Sequence, residues 1–203
     1  MTTPASLPAS LSENALDILF REAHTHHKFA DRPVDEDTLR QLYALSQWGP
    51  TSMNCQPGRY VFVRSAEAKQ KLRPSLAPGN LEKTMAAPVT VVVAHDSAFY
   101  DELPRQFPVN PAAREMFANN APLAADTAMR NGSLQGAYLM LAARALGLAV
   151  GPMSGFNPQV VNDAFFADGR WKANFLINLG WGDPAGVWPR GPRLGFDEVA
   201  RIE

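Results

Sequence analysis

The segment Gly49-Pro-Thr-Ser-Met-Asn-Cys-Gln-Pro57 is a polar stretch that joins an apolar helical pattern to an apolar strand pattern. It carries two hydroxyls and two carboxamides on a backbone stiffened by prolines. Fixed donors and acceptors of this kind suit the edge of a planar heterocycle that alternates N–H and C=O groups. The same residue types are common in ordinary turns. The segment therefore predicts either a loop that recognises a heterocycle or a plain helix-to-strand connection.

Regular elements are predicted on both sides of this segment. Residues 11–23 carry apolar side chains at helical spacing, and Asp35 is the expected N-cap of a second helix that ends at Trp48-Gly49-Pro50. After the segment, residues 59–64 alternate as a strand does. Residues 89–94 form a continuous run rich in β-branched residues, which is typical of a strand buried on both faces.

The second half of the chain continues this mixture of helices and strands. Residues 123–146 carry the longest helical pattern, and Gly147 supplies its stop. Residues 148–150 and 175–180 predict two more strands, with a helix beginning at Pro158 between them. A loop punctuated by prolines is predicted for residues 104–111. We therefore predict one α+β domain over residues 11–203, preceded by a flexible tail over residues 1–10.

Composition excludes several classes of partner and compartment. The 203 residues are 46% hydrophobic and 19% charged, as expected of a folded globular chain. Lys and Arg total 19 against 20 Asp and Glu, so neither nucleic acid nor an anionic membrane is an expected partner. The single cysteine, Cys55, cannot form an intrachain disulfide and is predicted to be a buried thiol. Without a signal peptide or a long apolar run, the chain is predicted to be cytoplasmic.

A histidine cluster and a pair of helix glycines each leave two interpretations open. Three of the four histidines lie in residues 24–27, but no cysteine or carboxylate stands at ligand spacing, so we expect a solvated surface turn and no metal. In the long helix, Gly132 and Gly136 each cost about 1 kcal/mol relative to Ala. A close contact on their face would compensate, either within the chain or at a dimer seam.

Four motifs, in order over residues 23–193, carry a family resemblance. Residues 50–57 resemble the P-S-x-x-N-x-Q-P motif of FMN-dependent nitroreductases, with Thr51 in place of one Ser. The family's Asn-x-x-Lys, P-x-x-G-F and basic C-terminal motifs are matched by Asn80-Leu-Glu-Lys83, Pro152-Met-Ser-Gly-Phe156 and Arg190-Gly-Pro-Arg193. The longer phrases W-G-P-T-S-x-N-C, G-N-L-x-K-T and G-P-M-S-G-F are most similar to the malonic semialdehyde reductase branch of pyrimidine utilisation.

The resemblance implies a fold, an assembly and an activity. The implied fold is a three-layer α+β structure with a mainly antiparallel central sheet flanked by helices. It further implies an intertwined homodimer with two FMN sites, each built by both chains, and this favours the dimer seam for the glycine face. The implied reaction is ping-pong hydride transfer on the flavin, from NADH or NADPH to a small electrophile, without a catalytic side chain. Malonic semialdehyde, reduced to 3-hydroxypropionate, is the implied acceptor. Alternatives are a general nitro or quinone reductase, a flavin-binding module without turnover, and a hydrolase that uses Cys55 or the histidines.

The resemblance also assigns roles to individual residues. Residues 24–27 would hold the FMN phosphate, although Ala23 stands where the family has its first arginine. Asn80 and Lys83 would meet the pyrimidine or the ribityl chain, unless they form an ordinary surface turn. Gly155 would allow the backbone to approach the flavin. The predicted cofactor residues are His24, Thr25, His27, Pro50, Thr51, Ser52, Asn54, Asn80, Lys83, Ser154, Gly155, Arg190 and Arg193.

Overall fold

A computed structural model describes residues 10–203, and this part of the chain contains four strands and nine α-helices. The predicted flexible tail lies outside the described residues, except for residue 10. The strands are β1 (Gly58–Val63), β2 (Val89–Asp96), β3 (Ala149–Met153) and β4 (Trp171–Gly180). The helices are α1 (Glu13–Leu16), α2 (Glu36–Ser46), α3 (Ala66–Leu72), α4 (Pro78–Ala86), α5 (Leu103–Gln106), α6 (Ala113–Ala118), α7 (Ala121–Ala145), α8 (Pro158–Phe165) and α9 (Phe196–Val199).

The strands form one antiparallel sheet in the order β1-β2-β4-β3. Every residue of β2 is buried, because this central strand is covered on both faces. Its side chains alternate: Val91 and Val93 join the core beneath α2 and α7, whereas Val92 and Ala94 join the core beneath α3 and α8. Helices therefore cover both faces of the sheet. The predicted α+β class with an antiparallel central sheet is confirmed.

Local sequence signals account for the helix ends. Asp35 is the N-cap of α2, and its Oδ1 accepts a hydrogen bond of 2.7 Å from the Thr38 N–H. Helix α7 ends before Gly147, whose φ of +77° is readily adopted only by glycine. No helix within residues 10–203 combines the length and the apolar character required to cross a membrane.

Two segments differ from their predicted form. The first predicted helix, residues 11–23, consists of α1 followed by a π-helical turn over Asp17–Arg21. The predicted loop over residues 104–111 begins inside α5, where Pro104 occupies the first turn. Proline is tolerated there because the first N–H groups of a helix have no intrahelical acceptor.

The glycine face of α7 packs against the sheet of its own chain. A Cβ atom added to Gly136 would lie 2.5 Å from Phe175 Cζ and 3.1 Å from Val93 Cγ1. A Cβ on Gly132 would lie 3.1 Å from His95 Cβ. These glycines let the helix lie close to β2 and β4, so the predicted dimer seam along the glycine face is wrong. Four large apolar side chains of α7 are instead exposed: Leu123 (37%), Met129 (45%), Leu134 (47%) and Tyr138 (39%).

Candidate functional site

The histidine segment, residues 24–27, is extended and partly buried. Thr25 forms a parallel bridge with Val150 of β3, and His26 forms an antiparallel bridge with Val187. The His26 N–H donates to the Val150 carbonyl at 3.0 Å. The predicted turn is therefore wrong, although Thr25 is exposed and the three histidines are only half-buried. The segment is held between an edge strand and the C-terminal part of the chain, a pairing that local sequence does not encode.

Alternation along this extended segment separates its histidines. His24 and His26 line a cavity of about 300 Å³ together with Arg144. Thr25 and His27 are not among the residues that line this cavity, as alternation in an extended backbone predicts. The His27 ring stacks on Trp188, with ring centroids 4.1 Å apart. The structure thus brings His27, and not His24, near Lys83.

Lys83 and His27 are two basic groups close enough for the charge of Lys83 to affect the pKa of His27. Burial lowers the pKa of His27, and the charges of Lys83 and His26 lower it further. Burial also lowers the pKa of Lys83. Neither residue belongs to an ion pair within residues 10–203. A bound anion between them would relieve both penalties, so this donor set fits a phosphate group.

Asn80 joins the Lys83 helix to the turn after β3. Its Nδ2 donates to the Gly155 carbonyl at 2.8 Å, and the Ala77 N–H donates to the same carbonyl at 3.1 Å. A Cβ on Gly155 would lie only 2.5 Å from Asn80 Nδ2. Glycine is therefore required at position 155 for the Asn80 amide to approach. The two motifs are adjacent in space, with Ser154 exposed beside them.

The C-terminal arginines have different contacts. Arg190 Nη2 donates to the carbonyls of Arg21 at 2.7 Å and Ala23 at 2.9 Å, so its guanidinium holds the backbone that leads into the histidine segment. Arg193 Nη1 donates to the carbonyl of Gly191 in its own loop at 2.9 Å. Arg190 thus holds the backbone just before His24, and burial and the charge of Arg190 lower the pKa of Arg144, which lines the cavity with His24 and His26. Arg193 contacts only its own loop among these bonds.

The polar turn before β1 is strained and tightly bonded. Met53, Asn54 and Gln56 have φ angles of 50°, 50° and 40°, in the left-handed region that non-glycine residues rarely adopt. The Ser52 N–H donates to Asn131 Oδ1 at 2.8 Å, and Asn54 Nδ2 donates to the Gln106 carbonyl at 3.0 Å. Such clustered strain is common where a backbone is shaped for a ligand. Cys55 is buried, as predicted, and burial raises its pKa to about 11.

The predicted site residues fall into two groups at opposite edges of the sheet. The turn that contains Pro50, Thr51, Ser52 and Asn54 leads into edge strand β1, whereas the histidine segment and residues 154–155 adjoin edge strand β3. Three strand spacings, about 14 Å, separate these edges. One chain therefore brings together only the group around His27, Asn80, Lys83 and Gly155.

Sequence reasoning missed two residues that organise these groups. Trp188 stacks on His27, and Asn131 of α7 accepts a hydrogen bond from the Ser52 N–H. Neither stands in a motif. A polar residue on the apolar face of a long helix is a usable signal for Asn131, but nothing in the local sequence indicates that Trp188 meets His27.

Comparison with known proteins identifies the family that this fold and site define. The family model described as "Nitroreductase family" matches residues 20–181, and the chain belongs to the nitroreductase family. A protein of Burkholderia lata is 58% identical over 194 residues, which cover 96% of this chain and 99% of that protein. A protein of Xanthomonas oryzae pv. oryzae is 57% identical over 194 residues, which cover 96% of this chain and 98% of that protein. Both have provisional names as an NADH dehydrogenase/NAD(P)H nitroreductase.

Solved structures confirm the fold. A nitroreductase structure from Bacillus subtilis superimposes with a TM-score of 0.83 at 21% identity, covering 95% of this chain and all (100%) of the other. A nitroreductase from Exiguobacterium sibiricum, solved in complex with FMN, superimposes with a TM-score of 0.83 at 20% identity. The match covers 97% of this chain and 100% of the other. At these identities the two structures establish the shared fold alone.

Proposed function

We propose that this protein is an FMN-dependent NAD(P)H oxidoreductase that acts as a homodimer and passes a hydride to a small electrophile. The observation that carries this proposal is the placement of His27 near Lys83 of α4, with neither basic group in an ion pair within residues 10–203, and with Asn80 of the same helix bonded to the Gly155 carbonyl. The names of the two relatives and the FMN complex of the Exiguobacterium protein support it.

The proposed phosphate site consists of Thr25, His27 and Lys83. A hydroxyl, an imidazole and an ammonium together offer hydrogen bonds and positive charge to a phosphate dianion. His27 would be protonated when the phosphate is bound, because the dianion offsets the repulsion from Lys83. We leave His24 outside this set, because it lines the cavity that His27 does not line.

The residues beside the phosphate site would hold the rest of the cofactor. FMN, when bound, supplies the redox chemistry by accepting a hydride from NADH or NADPH and passing it on. Asn80 and the backbone at Gly155 would orient the ring system. The ammonium of Lys83 or the guanidinium of Arg190 would stabilise negative charge on its pyrimidine edge. Ser154 would add a hydroxyl at the edge of the site, and Arg193 would require movement of its loop to take part.

A second copy of the chain would complete each site. The polar turn over residues 50–54 lies at the sheet edge opposite to His27, so its donors would meet the flavin of the partner. The exposed apolar residues Leu134 and Tyr138 of α7, with Trp48 (79% exposed), form the surface that we propose for the dimer. Residues of this size are unusual on a monomer surface when they lie together.

Malonic semialdehyde is the acceptor that we propose, with 3-hydroxypropionate as product, on the strength of the long phrases around residues 48–55, 79–84 and 151–156. A panel of malonic semialdehyde, a nitroaromatic and a quinone, compared by kcat/KM, tests this choice. A clear preference for the aldehyde supports it, whereas equal or higher values for the other acceptors indicate a general nitro or quinone reductase.

Cofactor content tests the wider proposal. Purified protein should release FMN, identified by mass spectrometry, and its yellow colour should bleach with NADH or NADPH and return with an acceptor. A flavin that stays oxidised would indicate a binding module without turnover. Protein that takes up no flavin after incubation with FMN would overturn the proposal and leave a hydrolase that uses Cys55 or the histidines as the next hypothesis.

A further inference from the structure

Lys69 of α3 is a buried ammonium that has no carboxylate partner within residues 10–203. Its exposed fraction is 4%, and its Nζ donates to the Thr84 carbonyl and to Thr90 Oγ1, both at 2.7 Å. It is absent from the ion pairs of residues 10–203. Burying an ammonium is costly unless it forms good hydrogen bonds. The two groups that accept these bonds therefore indicate what Lys69 does in the structure.

The Thr84 carbonyl needs an outside donor because of the sequence that follows it. Thr84 lies in the last turn of α4, where its carbonyl would normally accept from the N–H of residue 88. Residue 88 is proline, which has no N–H. The ammonium of Lys69 takes the place of that donor, and its positive charge also suits the negative end of the helix dipole.

A closed set of side-chain bonds holds the same turn from the sheet. Thr90 Oγ1 of β2 donates to Asn178 Oδ1 of β4 at 2.9 Å. Asn178 Nδ2 then donates to Thr84 Oγ1 at 3.2 Å. Thr84, Thr90 and Asn178 are fully buried (0% exposed), so water does not compete for these bonds. The C-terminal turn of α4 is thereby tied to α3 and to two central strands.

We propose that Lys69 is a positioning residue that holds the end of α4 so that the adjacent Lys83 faces the phosphate of the cofactor. Lys83 immediately precedes Thr84, whose carbonyl and hydroxyl are both bonded in this set. Movement of this turn would therefore move the Lys83 ammonium relative to His27. The inference rests on the proposed FMN site. Lys69 itself lies in the core and touches neither His27 nor the sheet edge.

A double-mutant cycle on FMN binding separates positioning from general stabilisation. The variants are Lys69→Met, Lys83→Met and the double substitution, and the apoproteins are titrated with FMN. We expect each single substitution to weaken binding about tenfold, as for a lost charge-assisted bond. The double variant should bind within about twofold of Lys83→Met, because Lys69 acts through Lys83. Multiplicative losses, or wild-type affinity in Lys69→Met, would overturn the proposal.

A readout without flavin distinguishes this inference from the proposed function. Burial, the charge of Lys83 and the charge of His26 all lower the pKa of His27 in the apoprotein, so displacement of Lys83 alone should raise it. NMR titration should therefore show a higher His27 pKa in Lys69→Met, similar to that in Lys83→Met. If Lys83→Met leaves FMN affinity unchanged, the proposed phosphate site is wrong, while the His27 titration still decides whether Lys69 positions Lys83. An unchanged His27 pKa in Lys69→Met would overturn the positioning role.

Matched variants control for a loss of packing. Val161→Ala removes a fully buried side chain from the core on the α3 side of the sheet and should lower thermal stability without altering FMN affinity or the His27 pKa. If Lys69→Met does not fold, Thr90→Val replaces it in the double-mutant cycle, because this substitution removes one of the two acceptors of Lys69. A loss of FMN affinity in Val161→Ala equal to that in Lys69→Met would mean that Lys69 has only a structural role.

Discussion

The His27 imidazole lies against the Trp188 indole, with ring centroids 4.1 Å apart and an interplanar angle of 24°. The backbone of the two segments is joined beside this stack, since the His27 N–H donates to the Gly186 carbonyl at 2.9 Å. Trp188 is 67% exposed, so its ring covers His27 while its outer face meets solvent. The stack restricts the imidazole plane and removes water from one face of the ring.

Replacing Trp188 by alanine should raise the pKa of His27. Burial is the largest cause of the lowered pKa of this imidazole, and removal of the indole returns solvent to one of its faces. Trp188→Phe keeps an aromatic cover and should leave the value close to that of the wild type. The His27 resonance, followed by NMR over a pH titration of the apoprotein, measures the change. If Trp188→Ala titrates like the wild type, the stack does not control the solvation of His27.

Gly155→Ala should weaken FMN binding about tenfold with only a small loss of stability, because the new methyl would displace the Asn80 amide and not the backbone. The matched control is Gly79→Ala in α4, the helix that contains Asn80, where a Cβ meets nothing within 4 Å. That control should keep FMN affinity and gain up to about 1 kcal/mol, since alanine is the better helix former. Calorimetric titration with FMN and thermal unfolding give both quantities. Equal affinities for the two variants would show that Asn80 does not contribute to the site.

Two substitutions on opposite faces of α7 should have opposite consequences. Gly136→Ala places a methyl against Phe175 and should destabilise the fold by about 1 to 3 kcal/mol while leaving the dimer intact. Leu134→Glu adds a charge to the exposed apolar face and should dissociate the dimer and release FMN, with little effect on the folded subunit. Sedimentation velocity and chemical unfolding separate the two outcomes. A dimeric, yellow Leu134→Glu variant would place the interface elsewhere.

Stability in alkaline solution should reveal the buried ammonium of Lys69. Burial lowers its pKa from 10.5 to about 8, so the unfolded chain binds more protons than the folded chain between these values. The unfolding free energy of the wild type should therefore rise relative to that of Lys69→Met as pH increases from 8 to 10.5, by about 3 kcal/mol at most. Denaturant titrations of both proteins at several pH values measure the difference. A difference that stays constant over this range would mean that Lys69 titrates normally.

Much of the fold could be predicted because its signals are local. The β-branched run of β2, the Asp35 cap and Gly147 each specify an element through their own backbone preference and neighbours. The same holds for Pro158 at the start of α8. The four motifs, read in order, led to the family that the comparisons confirm. The cytoplasmic location and the absence of a nucleic-acid partner stay predictions from composition.

The site could be predicted only as a set of residues, because its geometry depends on contacts between distant segments. Periodicity showed that α7 has a glycine face, but whether that face met the sheet or a second copy depended on the position of Phe175 in β4. Likewise, the composition of residues 24–27 predicts a turn, whereas pairing with β3 and Val187 makes Thr25 and His26 extended. Long-range pairing of this kind leaves no trace in the spacing of neighbouring residues.

The sequence by itself determined the order and type of the main elements, the family and the residues that its motifs bring forward, since each rests on neighbours in the chain. Only the tertiary structure decided which of those residues meet. It placed His27 with Lys83 and Trp188, and set the polar turn at the opposite edge of the sheet. It also placed the Lys69 ammonium so that it donates to the Thr84 carbonyl, in place of the N–H that Pro88 lacks. These relations arise from packing between segments far apart in the chain, where burial and the need to satisfy buried polar groups select one arrangement.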